Sequence, residues 1–493
     1  MKTLIIILLI PVVAFSQYAI NVPEGYEIVS QTEDRIEVRD LETGFITPYY
    51  VGNLYDSTIT NNEFDAKENG VHEWFYFERV AELPWYVDMQ VIDANHNGLS
   101  EIYATVDAML YREVFLYPWV FEHYEYNTVG LIYDVGDQDG DSLTDIFIGN
   151  YEGEAIMESN SYDSYPDTIV WTYFRETGQY LINKFGDLDC DGFGEALFYT
   201  LDRTGYQMFE NIGDNQYELK TIIRFWDYVN DCTGEPSWGD IDGDGLNEVF
   251  AGGIHGEIIM FECVADDSFE FVWEGYALTY NAYSTEFLGD TDGDGKNEFM
   301  VGAKGPFINT IWEAVGNNSY ELKFTNIQDG YFWNNSSIEP ADYDGDGNDE
   351  IAICTGDYLS IIKNFGNDDW RRVLHFYTNS GTSIIRTFQP DTVLNPVLLN
   401  NPHSPEWMTF IYSVKGKFIP GDVNANGMLT GSDVLYLVNV LRNGVLEISE
   451  PYWRADANGD CRVDWADVTY LVNYFKGSGD MPEPGWCYFY VEP

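Results

Sequence analysis

Six times along this chain, side-chain oxygens recur at alternate positions of a short acidic stretch, in the frame D-x-[DN]-x-[DN]-x-x-x-[DE]. The copies are Asp93, Asn95, Asn97 and Glu101; Asp137, Asp139, Asp141 and Asp145; Asp187, Asp189, Asp191 and Glu195; Asp240, Asp242, Asp244 and Glu248; Asp290, Asp292, Asp294 and Glu298; and Asp342, Asp344, Asp346 and Glu350. Their first positions are spaced by 44, 50, 53, 50 and 52 residues, so the frame marks a structural repeat rather than a generally acidic surface. A short apolar or alternating run follows each copy, from Glu101–Thr105 in the first to Glu350–Thr355 in the last, as a β-strand requires. Later in the unit a polar turn recurs. Gly213–Lys220 and Gly316–Lys323 lie 103 residues apart, as do Asp187 and Asp290, and Ala265-Asp266-Asp267-Ser268 takes the same place between them. Each unit therefore reads as strand, acidic loop, strand, strand, tight turn, strand. Four strands in roughly 50 residues is the content of a propeller blade.

Alternate oxygens on a tight loop converge on one point, and only a counter-charge offsets their repulsion. A hard cation wanting about 6–8 oxygen ligands fits, and calcium is the expectation. Glycine at the sixth position (Gly98, Gly192, Gly245, Gly295, Gly347) supplies the positive φ of the turn, and the ninth-position carboxylate closes the cage. Two loops depart from the pattern. Asn95 and Asn97 leave the first with two carboxylates and the weakest expected calcium affinity, and Ser142 stands where the second needs glycine, so strain is expected there.

These loops resemble the FG-GAP/VCBS repeats of integrin-type β-propellers, strongly over about residues 80–370. The resemblance implies an all-β, calcium-binding β-propeller, with about six ions in the propeller and at least six blades. Residues 371–412 hold apolar runs without the motif (Ser383–Phe388, Val393–Leu399, Trp407–Val414), and Tyr26–Ile46 offers further strands. A seventh, motif-free blade closed between the two ends of residues 17–415 is expected, with six or eight blades as the alternatives.

From Gly421 the pattern changes. Asp422, Asn424, Asn426, Thr430 and Asp433 place oxygens at positions 1, 3, 5, 9 and 12 of a loop, and Asp456, Asn458, Asp460, Asp464 and Asp467 repeat it 34 residues on. This is EF-hand ligand spacing, with Met428 and Arg462 offering backbone carbonyls at position 7. Each loop opens into a helical stripe: Val434, Leu437, Val438 and Leu441, then Val468, Leu471, Val472 and Phe475. These stripes are expected to form the core between the two copies. A duplicated loop–helix unit of this kind resembles a type I dockerin over residues 421–477. The resemblance implies a small all-α domain (416–480, with a tail at 481–493), two further calcium ions, and binding to a cohesin-type partner or cell-surface scaffold. Cys461 replaces the second loop's glycine, and the pair at positions 10 and 11 is Gly431-Ser432 in one copy and Trp465-Ala466 in the other.

The N-terminus reads as an export signal over residues 1–16: Lys2, the apolar run Leu4–Val13, then Ala14-Phe15-Ser16 ahead of Gln17. That run is too short to span a bilayer, and no later segment approaches 18 apolar residues, so a secreted or surface-associated chain without a membrane span is expected. Six cysteines are then free to pair, with Cys461 and Cys487 the best candidates. Twenty-four Lys+Arg against 83 Asp+Glu give a net charge of −59, which disfavours nucleic acid and anionic membranes. The chain is 16 % aromatic, which argues against disorder.

No residue is nominated as catalytic. The six histidines form no HExxH pair, and no GxSxG or phosphate loop occurs. His96 is expected to be a solvent-exposed turn residue; His255, after Gly252-Gly253, is a candidate for lining a propeller face rather than the expected case. The function expected is calcium-dependent, non-enzymatic binding or adhesion, with the propeller taking a glycan or protein ligand. Trp74, Trp85, Trp119, Trp171, Trp226, Trp238 and Trp333 are candidates for stacking on sugars or for the blade cores. The alternative is a dockerin-bearing polysaccharide-degrading enzyme, a lyase or glycoside hydrolase, with a propeller catalytic domain.

Overall fold

The computed structural model describes residues 26–31, 35–40 and 46–50. From 74 to 482 it describes all but 87, 107–108, 117–118, 150–152, 175–182, 201–204, 226–234, 278–281, 292, 304–307, 328–336, 356–357, 367, 378–381, 391–395, 403–407, 444–447, 450, 461 and 480–481. The leader expected over 1–16, Asp292, Trp226, Trp333 and Cys232, Cys461 and Cys487 lie outside the described residues, and with them the expected Cys461–Cys487 pair. No helix among the described residues is long and apolar enough to cross a membrane.

The second strand of each blade is a continuous run of apolar residues behind the loop's last carboxylate. Asp145–Gly149, Glu195–Tyr199 and Glu248–Gly252 are buried at every position, as strands covered on both faces must be. Fourth strands such as Pro166–Phe174 alternate and remain largely exposed. This gradient from buried to exposed builds seven four-stranded antiparallel sheets, all but the last running in chain order: blade 1 from Asp88 to Val129, blade 2 from Leu131 to Phe174, blade 3 from Asn183 to Arg224, blade 4 from Ser237 to Tyr276, blade 5 from Ala282 to Ile327 and blade 6 from Ser337 to Tyr377. Blade 7 takes Thr382–Phe388, Val397–Pro402 and Met408–Phe418, and its fourth strand, Trp74–Pro84, comes from ahead of blade 1. The first strands are innermost, and Thr382–Phe388 of blade 7 lies against Asp88–Ile92 of blade 1, so the ring closes on itself. Aromatic clusters fill the spaces between blades; Phe147, Phe198 and Phe209 join blades 2 and 3, and Phe250, Phe299 and Trp312 join blades 4 and 5.

The motif-free seventh blade is thus present, and closure uses Trp74–Pro84. Tyr26–Gln31, Arg35–Asp40 and Ile46–Tyr50, by contrast, pair among themselves as a separate three-stranded sheet, in a unit spanning Met1–Asn61.

After blade 7 the chain forms two helices, α1 (Gly431–Asn443) and α2 (Trp465–Phe475). Leu437 and Leu471 are fully buried at their interface with Val423, Ala455 and Ala457, and Val434, Leu441 and Val468 pack against them, so most of the expected stripe is core. Phe475 is exposed. The short helix Tyr452–Ala455 between α1 and α2 contacts blade 7: Trp453 meets Tyr76 edge-on, and Tyr76 meets Phe418 in the same way.

Candidate metal centres and the axial cluster

Every one of the six acidic loops is the connection between the first and second strands of its blade, so all six lie at the same end of the ring. Within each, the same hydrogen bonds recur. The first-position carboxylate accepts from the sixth-position N–H: Gly98 to Asp93 at 2.7 Å, Ser142 to Asp137 at 2.9 Å, Gly192 to Asp187 at 3.2 Å, Gly245 to Asp240 at 3.0 Å, Gly295 to Asp290 at 3.0 Å and Gly347 to Asp342 at 2.9 Å. The fifth-position oxygen accepts from the seventh N–H, as when Leu246 donates to Asp244 at 3.0 Å. The sixth position is left-handed throughout. Ser142 adopts φ 71° where the five glycines lie between 85° and 95°, so the expected strain is located there. The fourth position is left-handed as well, filled by Gly140, Gly243, Gly293 and Gly345 but by His96 and Cys190 in the first and third loops.

The ninth-position carboxylate opens the buried second strand. One of its oxygens accepts a backbone N–H from the start of the loop: Ala94 to Glu101 at 2.9 Å, Gln138 to Asp145 at 3.0 Å, Leu188 to Glu195 at 2.5 Å, Ile241 to Glu248 at 2.7 Å and Thr291 to Glu298 at 2.8 Å. In Glu101, Asp145, Glu195 and Glu248 the other oxygen is buried without a hydrogen-bond donor. An orphaned buried carboxylate oxygen is costly unless a cation meets it. Burial accordingly pushes Asp145, Glu195 and Glu248 up to about 8 and Glu101 up to about 7. In the second, third and fourth loops the ninth-position carboxylate belongs to a cluster in which one oxygen from each residue lies within 4.8 Å of the others: Asp137, Asp139 and Asp145; Asp187, Asp189 and Glu195; Asp240, Asp242 and Glu248. An all-oxygen donor set of this kind suits a hard divalent cation.

The loops are also joined to one another. Thr144 Oγ1 donates to the Ala94 carbonyl at 3.1 Å, Asn247 Nδ2 to the Leu188 carbonyl at 3.0 Å and Asn297 Nδ2 to the Asp240 carbonyl at 2.7 Å, each from the eighth position of one loop to the loop before it. Gly194 takes that place in the third loop, where a Cβ would stand 2.4 Å from the Gln138 carbonyl oxygen. The recurrent polar turns supply a second tie, each reaching the loop of the preceding blade. The N–H groups of Asn215, Asp267 and Asn318 donate to Asp139, Asp189 and Asp242 at 2.8, 2.8 and 2.6 Å. In the same way Tyr162, in the turn of blade 2, stacks on His96 at 4.0 Å. His96 is exposed, as expected, but it is also a contact between blades.

A second cluster lies on the innermost strands. Asp88, Asp134, Glu286 and Glu339 surround two cations: Arg386 is 3.6 Å from Asp88 and 3.2 Å from Glu339, and Lys184 is 3.5 Å from Glu286. Burial pushes Asp88 and Glu339 up to about 7, with Arg386 opposing it. Sequence reasoning missed this set because it becomes visible only once the first strand of each blade is known to face the axis. His255 sits in the turn after Gly252, where its N–H donates to Glu257 at 3.0 Å. Trp119, Trp171 and Trp238 pack against blade cores.

In the C-terminal region, Asp433 accepts from Asn424 at 3.2 Å and Thr430 at 2.8 Å, and Asp467 accepts from Ala457 at 2.8 Å and Asp464 at 2.8 Å. Each loop thereby folds back onto the first turn of its own helix. Asp422 and Asp456 accept from Asn426 and Asp460, both at 3.1 Å, and all four of these carboxylates are buried. Residues 420–476 match the dockerin type I domain family. The chain carries a type I dockerin domain. Domains of this type bind calcium and cohesin partners. Asn424, Asn426, Thr430, Asn458, Asp460 and Asp464 stand in the two dockerin loops beside these four carboxylates.

No curated protein matches the chain. Similar solved structures include BBS1N in complex with ARL6DN, in a lead-soaked crystal (TM-score 0.48, 8 % identity, covering 69 % of this chain and 97 % of that one) and a mercury-soaked crystal (0.48, 7 %, 69 % and 96 %). A likeness this faint carries neither fold nor function to the chain.

Proposed function

We propose that this is a secreted, calcium-loaded binding protein. Its propeller takes a glycan or protein ligand, and its dockerin domain tethers it to a cohesin-type partner on a scaffold or cell surface. The supporting observation is the pairing of a dockerin with a ring of FG-GAP/VCBS-like loops in which buried carboxylate oxygens converge without donors. In the propeller loops of blades 1 to 5 the ligands are the oxygens at positions 1, 3, 5 and 9, and in the dockerin those at 1, 3, 5, 9 and 12. Calcium supplies the counter-charge, and the chain's own residues shape the cage: backbone N–H groups hold each carboxylate in place, and the eighth-position side chains join neighbouring loops into a belt. Trp465 and Phe475 are exposed on the dockerin, as are Tyr452, Met428 and Leu435, and a partner would bury such groups.

Surface-immobilised type I cohesins tested against the full chain in calcium and in excess chelator examine the tether. Binding that needs calcium and is lost on Leu435→Asp with Trp465→Asp supports it, and absence of binding to every cohesin in a broad panel counts against it. The enzyme reading is favoured by one observation, the axial carboxylates raised to about 7 by burial, a range suited to proton transfer. Cleavage of a polysaccharide panel, lost in Asp88→Asn or Glu339→Gln without loss of fold, would establish it.

A further inference from the structure

The six propeller loops share one frame but differ at the third-strand residue paired with the ninth-position carboxylate. That residue is Val114 opposite Glu101, Glu158 opposite Asp145, Glu210 opposite Glu195, Glu262 opposite Glu248 and Glu313 opposite Glu298. In blade 6 the ladder pairs Ile351 with Ile362, which sets Lys363 opposite Glu350. The substitution reverses the charge at the mouth of the cage. Lys363 Nζ lies 2.8 Å from Asp344, 2.7 Å from Asp346 and 2.5 Å from Glu350, the third-, fifth- and ninth-position carboxylates of the sixth loop. It thus contacts three of that loop's four expected calcium ligands. A second cation, Lys417 of blade 7, stands 3.4 Å from Asp344. The Glu350 oxygen equivalent to the orphans of Glu101, Asp145, Glu195 and Glu248 is the one that Lys363 meets.

From this geometry we infer that the sixth loop is closed by the Lys363 ammonium in place of calcium, so the propeller takes one ion fewer than it has loops. Lys363 is only 5 % exposed, and a buried ammonium must stay paired. A calcium ion bound by the same oxygens would sit in contact with it, and the ammonium has no lone pair to offer the metal. Blade 7 has no acidic loop, so blades 6 and 7 form a sector whose stability does not depend on calcium. That sector contains the ring closure and touches the dockerin, Tyr76 meeting Trp453. The ring therefore stays closed, and the dockerin stays attached, while calcium loads or leaves blades 1 to 5.

This inference rests on the calcium reading of the other loops, and the experiment separates the two. Calcium per full-length chain is counted by native mass spectrometry after equilibration in saturating calcium. Glu248→Gln is expected to lose one ion and Glu350→Gln none, and Lys363→Glu, which restores the residue of blades 2 to 5, is expected to gain one. Loss of one ion from Glu350→Gln would overturn the inference. A count unchanged by both Gln substitutions would overturn the calcium reading and this inference with it. Hydrogen exchange on the unaltered protein gives a check independent of any variant. On chelation, protection should fall at Glu195–Tyr199 and Glu248–Gly252 and hold at Glu350–Thr355. An equal fall at all three would contradict the inference.

Discussion

The propeller loops and the dockerin loops begin alike and end differently. In both, a first-position Asp accepts the sixth-position N–H, Gly245 to Asp240 at 3.0 Å in one and Gly427 to Asp422 at 2.9 Å in the other, and in both the fifth-position oxygen takes the seventh N–H. The propeller loop closes at position 9 on a carboxylate that starts a fully buried strand. The dockerin loop runs on to position 12, where Asp433 and Asp467 lie in the first turn of a helix. The element behind each loop differs in how much core it brings. A propeller blade has large aromatic cores on both faces, whereas among the described residues the dockerin helices share a core of five fully buried residues. A domain of that size ordinarily needs metal or a cross-link to fold.

The comparison predicts its largest effect on chelation. Helical ellipticity at 222 nm should be lost while the β-sheet signal of the propeller persists; simultaneous loss of both would erase the distinction. Next in size, removing one buried ligand with Glu248→Gln should cost about 4 kcal/mol when calcium is about 1,000-fold above its dissociation constant, read as a shift in denaturant midpoint that vanishes in chelator. A shift that survives chelation would mark Glu248 as a packing residue. Gly194→Ala should cost about 1–3 kcal/mol, because the new Cβ meets the Gln138 carbonyl where one loop crosses the next. Smallest is Ser142→Gly, expected to stabilise by roughly 0.5 kcal/mol, the relief of left-handed strain less the added freedom of the unfolded chain. No gain there would mean that the second loop tolerates serine without strain.

The blade repeat was legible in the sequence because the acidic frame recurs at nearly constant spacing and each copy leads into an apolar run. The closing strand was not. Tyr26–Ile46 reads as β and Trp74–Pro84 is not singled out; which segment pairs with Met408–Phe418 depends on a contact across more than 300 residues that no local pattern encodes. The recurrent polar turns were visible, but their docking on the preceding blade's loop required the ring. Lys363 was hidden differently: the third-strand position follows the loop's last carboxylate by 13 residues in blade 6 and by 15 in blades 3 and 5, so the hairpin lengths blur the register until the ladder is drawn. The left-handed fourth position could have been read, since four of the six copies carry glycine there.

Acidity now has a location. The expected ligands of the six propeller loops and the two dockerin loops include 28 of the 83 carboxylates, and Asp88, Asp134, Glu286 and Glu339 line the innermost strands.

The central claim is that the propeller loops are calcium sites built on one plan. Crystals of the full chain grown in calcium, with an anomalous difference map collected at long wavelength, test it most directly. The account predicts peaks ligated at about 2.3–2.6 Å by the position 1, 3, 5 and 9 oxygens of the loops in blades 1 to 5, weakest at Asp93, and none beside Lys363. Loops of blades 2 to 5 that hold only water at saturating calcium would contradict it.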